Sequence, residues 1–129
     1  MENTLLKTRI AMLWIFTVFV LFAFSTLSAY EQLGAGVSPP QLTPGYSLLS
    51  TAASLGLFAI PFLCLTLKDS WNRMANIFLG TAFTVFGIAG TASGLSQLTA
   101  SNAHFTLIYG AATVAPAIIV YYSYRWPKG

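Results

Sequence analysis

Four stretches of this sequence stay apolar for about twenty residues at a time, roughly 10–29, 46–67, 74–95 and 103–124. None of them contains Lys, Arg, Asp or Glu. The apolar residues do not alternate with polar ones, nor do they keep to one stripe. A helix that is apolar all round is buried in a large core or crosses a membrane. About 20 apolar residues in a helix match the thickness of a bilayer's hydrocarbon core. No water there satisfies bare backbone, so each stretch is predicted to be helical. The reading is an all-α membrane protein, one domain over 1–129, built as a four-transmembrane-helix bundle. A cleaved signal peptide has an apolar run of about 7–15 residues. The first stretch is longer, so it is expected to be retained as a helix.

Composition sharpens this picture. Of the 129 residues 56% are hydrophobic and 7% charged, against about 25% charged in a soluble domain. That excludes a soluble enzyme, a disordered tail and a coiled coil. The net charge of +3 is too small and too dispersed for a nucleic-acid footprint. The single cysteine, Cys64, excludes an internal disulfide, a CxxC pair and a cysteine-rich zinc site, and reads as a small buried residue.

The charges predict orientation. Lys7 and Arg9 precede the first span, Lys68 and Arg73 lie between the second and third, and Arg125 and Lys128 follow the fourth. The other two connections hold no Lys or Arg. The positive-inside rule then puts both termini and the middle turn in the cytoplasm. Trp71, Tyr122, Tyr124 and Trp126 are expected in the inner aromatic belt, and Tyr30, Tyr46 and Phe105 in the outer one.

The segment 31–45, with Gly34, Gly36, Pro39, Pro40, Pro44 and Gly45, reads as an outer loop, either a cap or a plain linker. In the middle turn, Asp69 or Ser70 is expected to cap the third helix, and Asp69 is spaced to pair with Arg73. Pro61 and Pro116 are expected to kink their helices. Placing Pro61 on Pro116 brings Trp71 onto Trp126, a faint echo of an internal duplication.

Gly80, Thr84, Gly87, Thr91 and Gly94 recur every three or four residues in the third span, and Gly90 with Gly94 forms a GxxxG pair. Small residues on one face let helices approach closely in lipid. This face is read as packing within the bundle, or else as a contact with a second copy. Ser50, Ala53, Ser54 and Gly56 offer a smaller surface on the second span, and Gly110, Ala111 and Ala115 on the fourth. The first span, rich in Phe, is bulky on all sides and suits lipid or a partner's helix.

Groups able to do chemistry are few. At the outer end stand Tyr30, Glu31, Gln97 and His104, a candidate ligand-binding cluster in which carboxylate and imidazole can meet. At the inner end Asn72, Arg73 and Asn76 form a polar cluster, with Asn76 expected to bond a neighbouring helix. One histidine without an acidic cluster is a poor metal site, so no metal, no cofactor and no catalytic residue is assigned. Small multidrug exporters carry a carboxylate within the first helix, and this first span has none. Thiol–quinone oxidoreductases need cysteine pairs. Membrane glutathione transferases need charged groups that these spans lack.

The run Asn72-Arg73-Met74-Ala75-Asn76-Ile77, then His104, then Tyr122-Ser123-Tyr124-Arg125-Trp126, with Lys7-Thr8-Arg9 and Leu13-Trp14-Ile15-Phe16 upstream, resembles a family of small bacterial four-helix membrane proteins. That family is known only as a domain of unknown function. The resemblance implies the four-helix topology and a bacterial cytoplasmic membrane; it implies no activity. The family's first helix is similar but carries an acidic or amide residue, where this chain reads Phe22–Thr26.

The leading functional expectation is a non-enzymatic structural or accessory membrane protein. Its partners would be the lipid bilayer and a second copy of itself, with no nucleic acid. The alternatives are a small transporter or channel assembled from several copies, a lipid- or quinone-binding bundle opened by Pro61 and Pro116, and a membrane enzyme using Glu31 and His104.

Overall fold

The computed structural model describes residues 2–38 and 43–127. The described residues form four helices: α1 (Glu2–Gly34), α2 (Pro44–Thr66), α3 (Asp69–Ser96) and α4 (Ala103–Tyr124). Each is long and apolar enough to cross a membrane. They run up and down. The start of α1, the α2–α3 turn and the end of α4 gather at one end, called here the terminal end. The end of α1 and the α3–α4 turn meet at the other, the far end.

α1 exceeds the predicted span on both sides. Its 33 residues make a rod about 50 Å long at 1.5 Å per residue, against a hydrocarbon core of about 30 Å. Lys7, Arg9, Tyr30, Glu31 and Gln32 are therefore helical, and Glu31 does not open a loop. The helix stops at Gly36, whose φ of 70° costs a glycine little. Gly36 N donates to the Leu33 carbonyl (3.1 Å) and Val37 N to that of Gln32 (3.0 Å), the paired bonds of a Schellman ending. α2 begins inside the expected loop because Pro44 sits in its first turn, where a missing N–H costs nothing. Thr43 accepts from Tyr46 N there (3.3 Å). A cap formed by Pro39 and Pro40 lies outside the described residues.

Two expectations for the middle turn fail. Lys68 is the N-cap of α3, and no side chain caps that end. Asp69 bonds Lys7 of α1 at 2.7 Å, not Arg73, and also accepts from Asn3 Nδ2 at 2.8 Å. Lys7 reaches further, to the Leu67 carbonyl (2.9 Å). Arg73 turns instead to α4, where its Nε donates to the Ser123 carbonyl (3.1 Å). Once α1 starts at residue 2, it carries a cation to the α2–α3 turn and outcompetes the local pair.

The core lies toward the terminal end. Ile10, Ala11 and Trp14 of α1, Cys64 of α2, Ile119 of α4 and Trp126 pack together, with Phe83 of α3 against them. The rings of Trp14 and Phe83 meet edge to face, centroids 5.5 Å apart. α1 is thus a central helix that buries one face between α2 and α4, while Phe16, Phe19 and Phe22 on its other sides are exposed. Trp126 is 3% exposed and does not belong to a belt: the chain turns back after α4 and tucks the indole into the core. Trp71, by contrast, is 70% exposed, so the two tryptophans paired by the sequence echo stand in different surroundings.

The glycine face of α3 packs against α4. A Cβ added at Gly87 would lie 2.9 Å from Thr113 Cα; at Gly80 it would meet the Pro116 carbonyl at 3.2 Å. Thr84 and Thr91 return their hydroxyls to the carbonyls of Gly80 and Gly87, at 2.7 and 2.8 Å, while Thr106, facing Gly94, keeps a buried hydroxyl without a partner. The small residues of α2 find no such partner: residues 48–56 are all exposed, and an added Cβ at Gly56 meets nothing within 4 Å. Gly110 is likewise open.

Candidate functional site

At the far end, α1, α3 and α4 border an open cavity of about 420 Å³. α3 leaves the space open, because Gly90 and Gly94 present no side chain to it. Phe24 of α1 reaches across to α4, its ring centroid 5.4 Å from that of Phe105 and 5.0 Å from that of Tyr109. These three rings form one wall. Ser28, Glu31 and Gln32 of α1, Ser93 and Gln97 at the end of α3, and Asn102 and Thr106 at the start of α4 supply the polar part of the lining, Thr106 with a buried hydroxyl that has no partner.

The extension of α1 to Gly34 carries Glu31 to the start of α4. Glu31 Oε1 lies 3.0 Å from His104 Nε2, and both side chains are about half exposed. His104 also leans on Phe105, ring centroids 4.2 Å apart. His104 is not part of the cavity lining; it holds Glu31 from the side, next to the α4 N-terminus. Asn102 builds the turn between α3 and α4. Its Oδ1 accepts from Thr99 N at 2.8 Å and its Nδ2 donates to the Gln97 carbonyl at 2.7 Å. The structure therefore brings Glu31, Gln97 and His104 together. Tyr30 stands apart, 70% exposed, beside Leu33 in a separate shallow groove.

The amides at the terminal end form a closed knot. Trp14 Nε1 donates to Asn76 Oδ1 (2.6 Å), which also receives the Cys64 thiol (3.3 Å). Asn76 Nδ2 donates to the Asn72 carbonyl and to Asn72 Oδ1 (2.8 and 2.6 Å), and Asn72 Nδ2 donates to the Cys64 carbonyl. Asn72 and Asn76 are 1% and 2% exposed. A buried amide is costly without partners, and here each finds them among its neighbours. The knot fastens α1, α2 and α3 and leaves no open polar group for a ligand. Arg73 joins it only as a neighbour, through its bond to α4.

Sequence reasoning missed Trp14 as the knot's indole donor and Phe24, Phe105 and Tyr109 as a wall. Trp14 lies 62 positions from Asn76, and no local spacing announces that meeting. The aromatic wall had a weak signal: three rings close in sequence to the two ends of the Glu31–His104 pair. Searches against protein-family models, curated proteins and solved structures find no match to this chain.

Proposed function

We propose that this chain is a non-enzymatic accessory protein of a bacterial cytoplasmic membrane, both termini cytoplasmic, that acts by holding a partner or ligand at its extracytoplasmic end. One observation carries the reading. Between Ile10 and Leu67 the only charged residue is Glu31, and between Met74 and Tyr124 there is none. Mid-membrane coupling normally uses an intramembrane ionisable group, and the buried amides that are present are consumed by the knot. At the far end Ser28, Glu31, Gln32 and Gln97 line an accessible cavity, whereas the unpartnered Ser123 Oγ and Trp126 Nε1 at the terminal end are buried. The five basic residues among those described, Lys7, Arg9, Lys68, Arg73 and Arg125, all fall at the other end, which supports its cytoplasmic placement.

The test is topological. A reporter fused after Gly129 should read cytoplasmic. A cysteine replacing Ser101, in the α3–α4 turn, should react with an impermeant maleimide from outside intact cells, with buried Cys64 silent. Labelling of Ser101→Cys only after permeabilisation would overturn the orientation and with it the extracytoplasmic site.

The exposed small residues of α2 favour a second reading, an assembly of several copies forming a transporter or channel. The mass of the protein–detergent complex, measured by light scattering, separates the two. A monomeric mass ends the assembly reading.

A further inference from the structure

We propose that the far-end cavity binds an organic ammonium ion, with Glu31 as its counter-ion and the rings of Phe24, Phe105 and Tyr109 as its apolar wall. This inference rests on the reading above, in which the chain works by binding.

Charge makes the first argument. Among the described residues, Glu31 is the only formally charged side chain outside the terminal end. No Lys or Arg stands near it in sequence or across the cavity, so an anionic ligand such as a phosphate meets a carboxylate and no cation. His104 holds Glu31 Oε1, and the other carboxylate oxygen has no hydrogen bond among the described residues. A ligand cation would complete the carboxylate's bonding.

Shape and chemistry of the wall make the second. The cavity, about 420 Å³, falls in the range of small-molecule sites, about 300–1,000 Å³. Three aromatic rings close together line it, and a cation over the face of such a ring is attracted, the more so as water is excluded. The rings are also apolar, so they match alkyl substituents on nitrogen better than the shell of a hydrated metal ion. The space exists because α3 carries glycine at 90 and 94: a Cβ at Gly90 would strike the Tyr109 ring. Carboxylate at the mouth and rings beneath it define an amphipathic site for a charged nitrogen with an apolar body. Such a nitrogen belongs either to a free amine or to a lipid headgroup.

The experiment titrates the full chain, in a maltoside detergent, with choline and with its neutral isostere 3,3-dimethylbutan-1-ol, read by calorimetry. Choline should bind at least tenfold more tightly than the alcohol. Glu31→Gln should remove most of that preference without changing the detergent melting temperature, and Glu31→Asp should keep it. Phe24→Leu should weaken choline several-fold, and Tyr30→Phe, outside the cavity, should leave it unchanged. Equal binding of the two probes, or a preference that survives Glu31→Gln, overturns the ammonium site while leaving the chain a binding protein. No heat from either probe up to 100 mM overturns the site, and the reading beneath it then stands or falls by the Ser101→Cys labelling. With the preference established, nanodiscs assign its source. Choline binding weakened by phosphatidylethanolamine, relative to phosphatidylglycerol alone, identifies a lipid headgroup; unchanged binding identifies a free amine.

Discussion

The two hairpins of this protein are both made from apolar helices long enough to cross a membrane and packed in opposite ways. α3 and α4 lie against each other from Gly80 to Gly94, and at each of these contacts a glycine of α3 faces side-chain or backbone atoms of α4. α1 and α2 meet mainly through bulky residues. Val18, Leu21, Phe22, Leu57 and Phe58 hold them apart around a gap of about 110 Å³, and toward the far end α2 stands exposed. Hydropathy does not explain the difference, since α1 and α2 are the more apolar pair and the looser one: lipid is as apolar as leucine and gives no net gain for burying it. Contact in a membrane comes from how closely backbones approach, which small residues permit and phenylalanines prevent. What ties α2 to the rest is polar: the Cys64–Asn72–Asn76–Trp14 knot and the Lys7 bonds at its terminal end.

Substitutions can break or sharpen this contrast, and the largest effect belongs to the glycine seam. Gly87→Ala places a Cβ against the backbone of Thr113, which cannot swing aside. The expected loss is about 2–3 kcal/mol, in the upper range for overpacking, read as a lower detergent melting temperature. An unchanged melt would mean that α3 and α4 are not in close contact in the membrane.

Asn76→Leu strikes the knot that holds α2. It leaves the Trp14 indole and Asn72 Oδ1 without partners, at about 1–3 kcal/mol for a buried group stranded this way. Proteolysis or hydrogen exchange should show α2 loosening before the α3–α4 pair. Simultaneous loosening of all four helices would make the bundle one cooperative unit and erase the contrast.

Gly90→Ala sharpens the seam itself. Its obstacle is the Tyr109 ring, a side chain able to rotate, so the cost should be about 1 kcal/mol, at the low end of the overpacking range. A loss as large as that of Gly87→Ala would show the ring to be locked by Phe24.

Lys7→Met removes a part-exposed pair with Asp69 and the bond to the Leu67 carbonyl. At a wet interface about 0.5–1 kcal/mol is expected, diminishing as salt is raised. Smallest of all is Gly56→Ala on the exposed face of α2, within about 0.5 kcal/mol of zero. A large loss there would place a second copy or another helix on that face, readable at once as a change in complex mass.

Much of this protein was legible in the order of its residues. Four apolar runs free of charge dictate four helices, because lipid leaves backbone no other way to satisfy its hydrogen bonds. The spacing of Gly80, Gly87 and Gly94 announced a close contact, although not which helix would fill it. Glu31 and His104, at the ends of two runs, were placed at one depth by counting alone. Tertiary structure decided the rest, because it depends on residues distant along the chain. Local spacing offered Asp69 to Arg73, and the fold gave it to Lys7, brought in by a first helix longer than its apolar run. An aromatic at a membrane boundary reads the same whether it faces lipid or core, so Trp126 looked like Trp71 until the chain turned back over α4. The cavity was the least legible feature. An empty space is set by what three helices fail to fill, here by glycines on one and rings on the other two, and no single stretch of sequence carries that information.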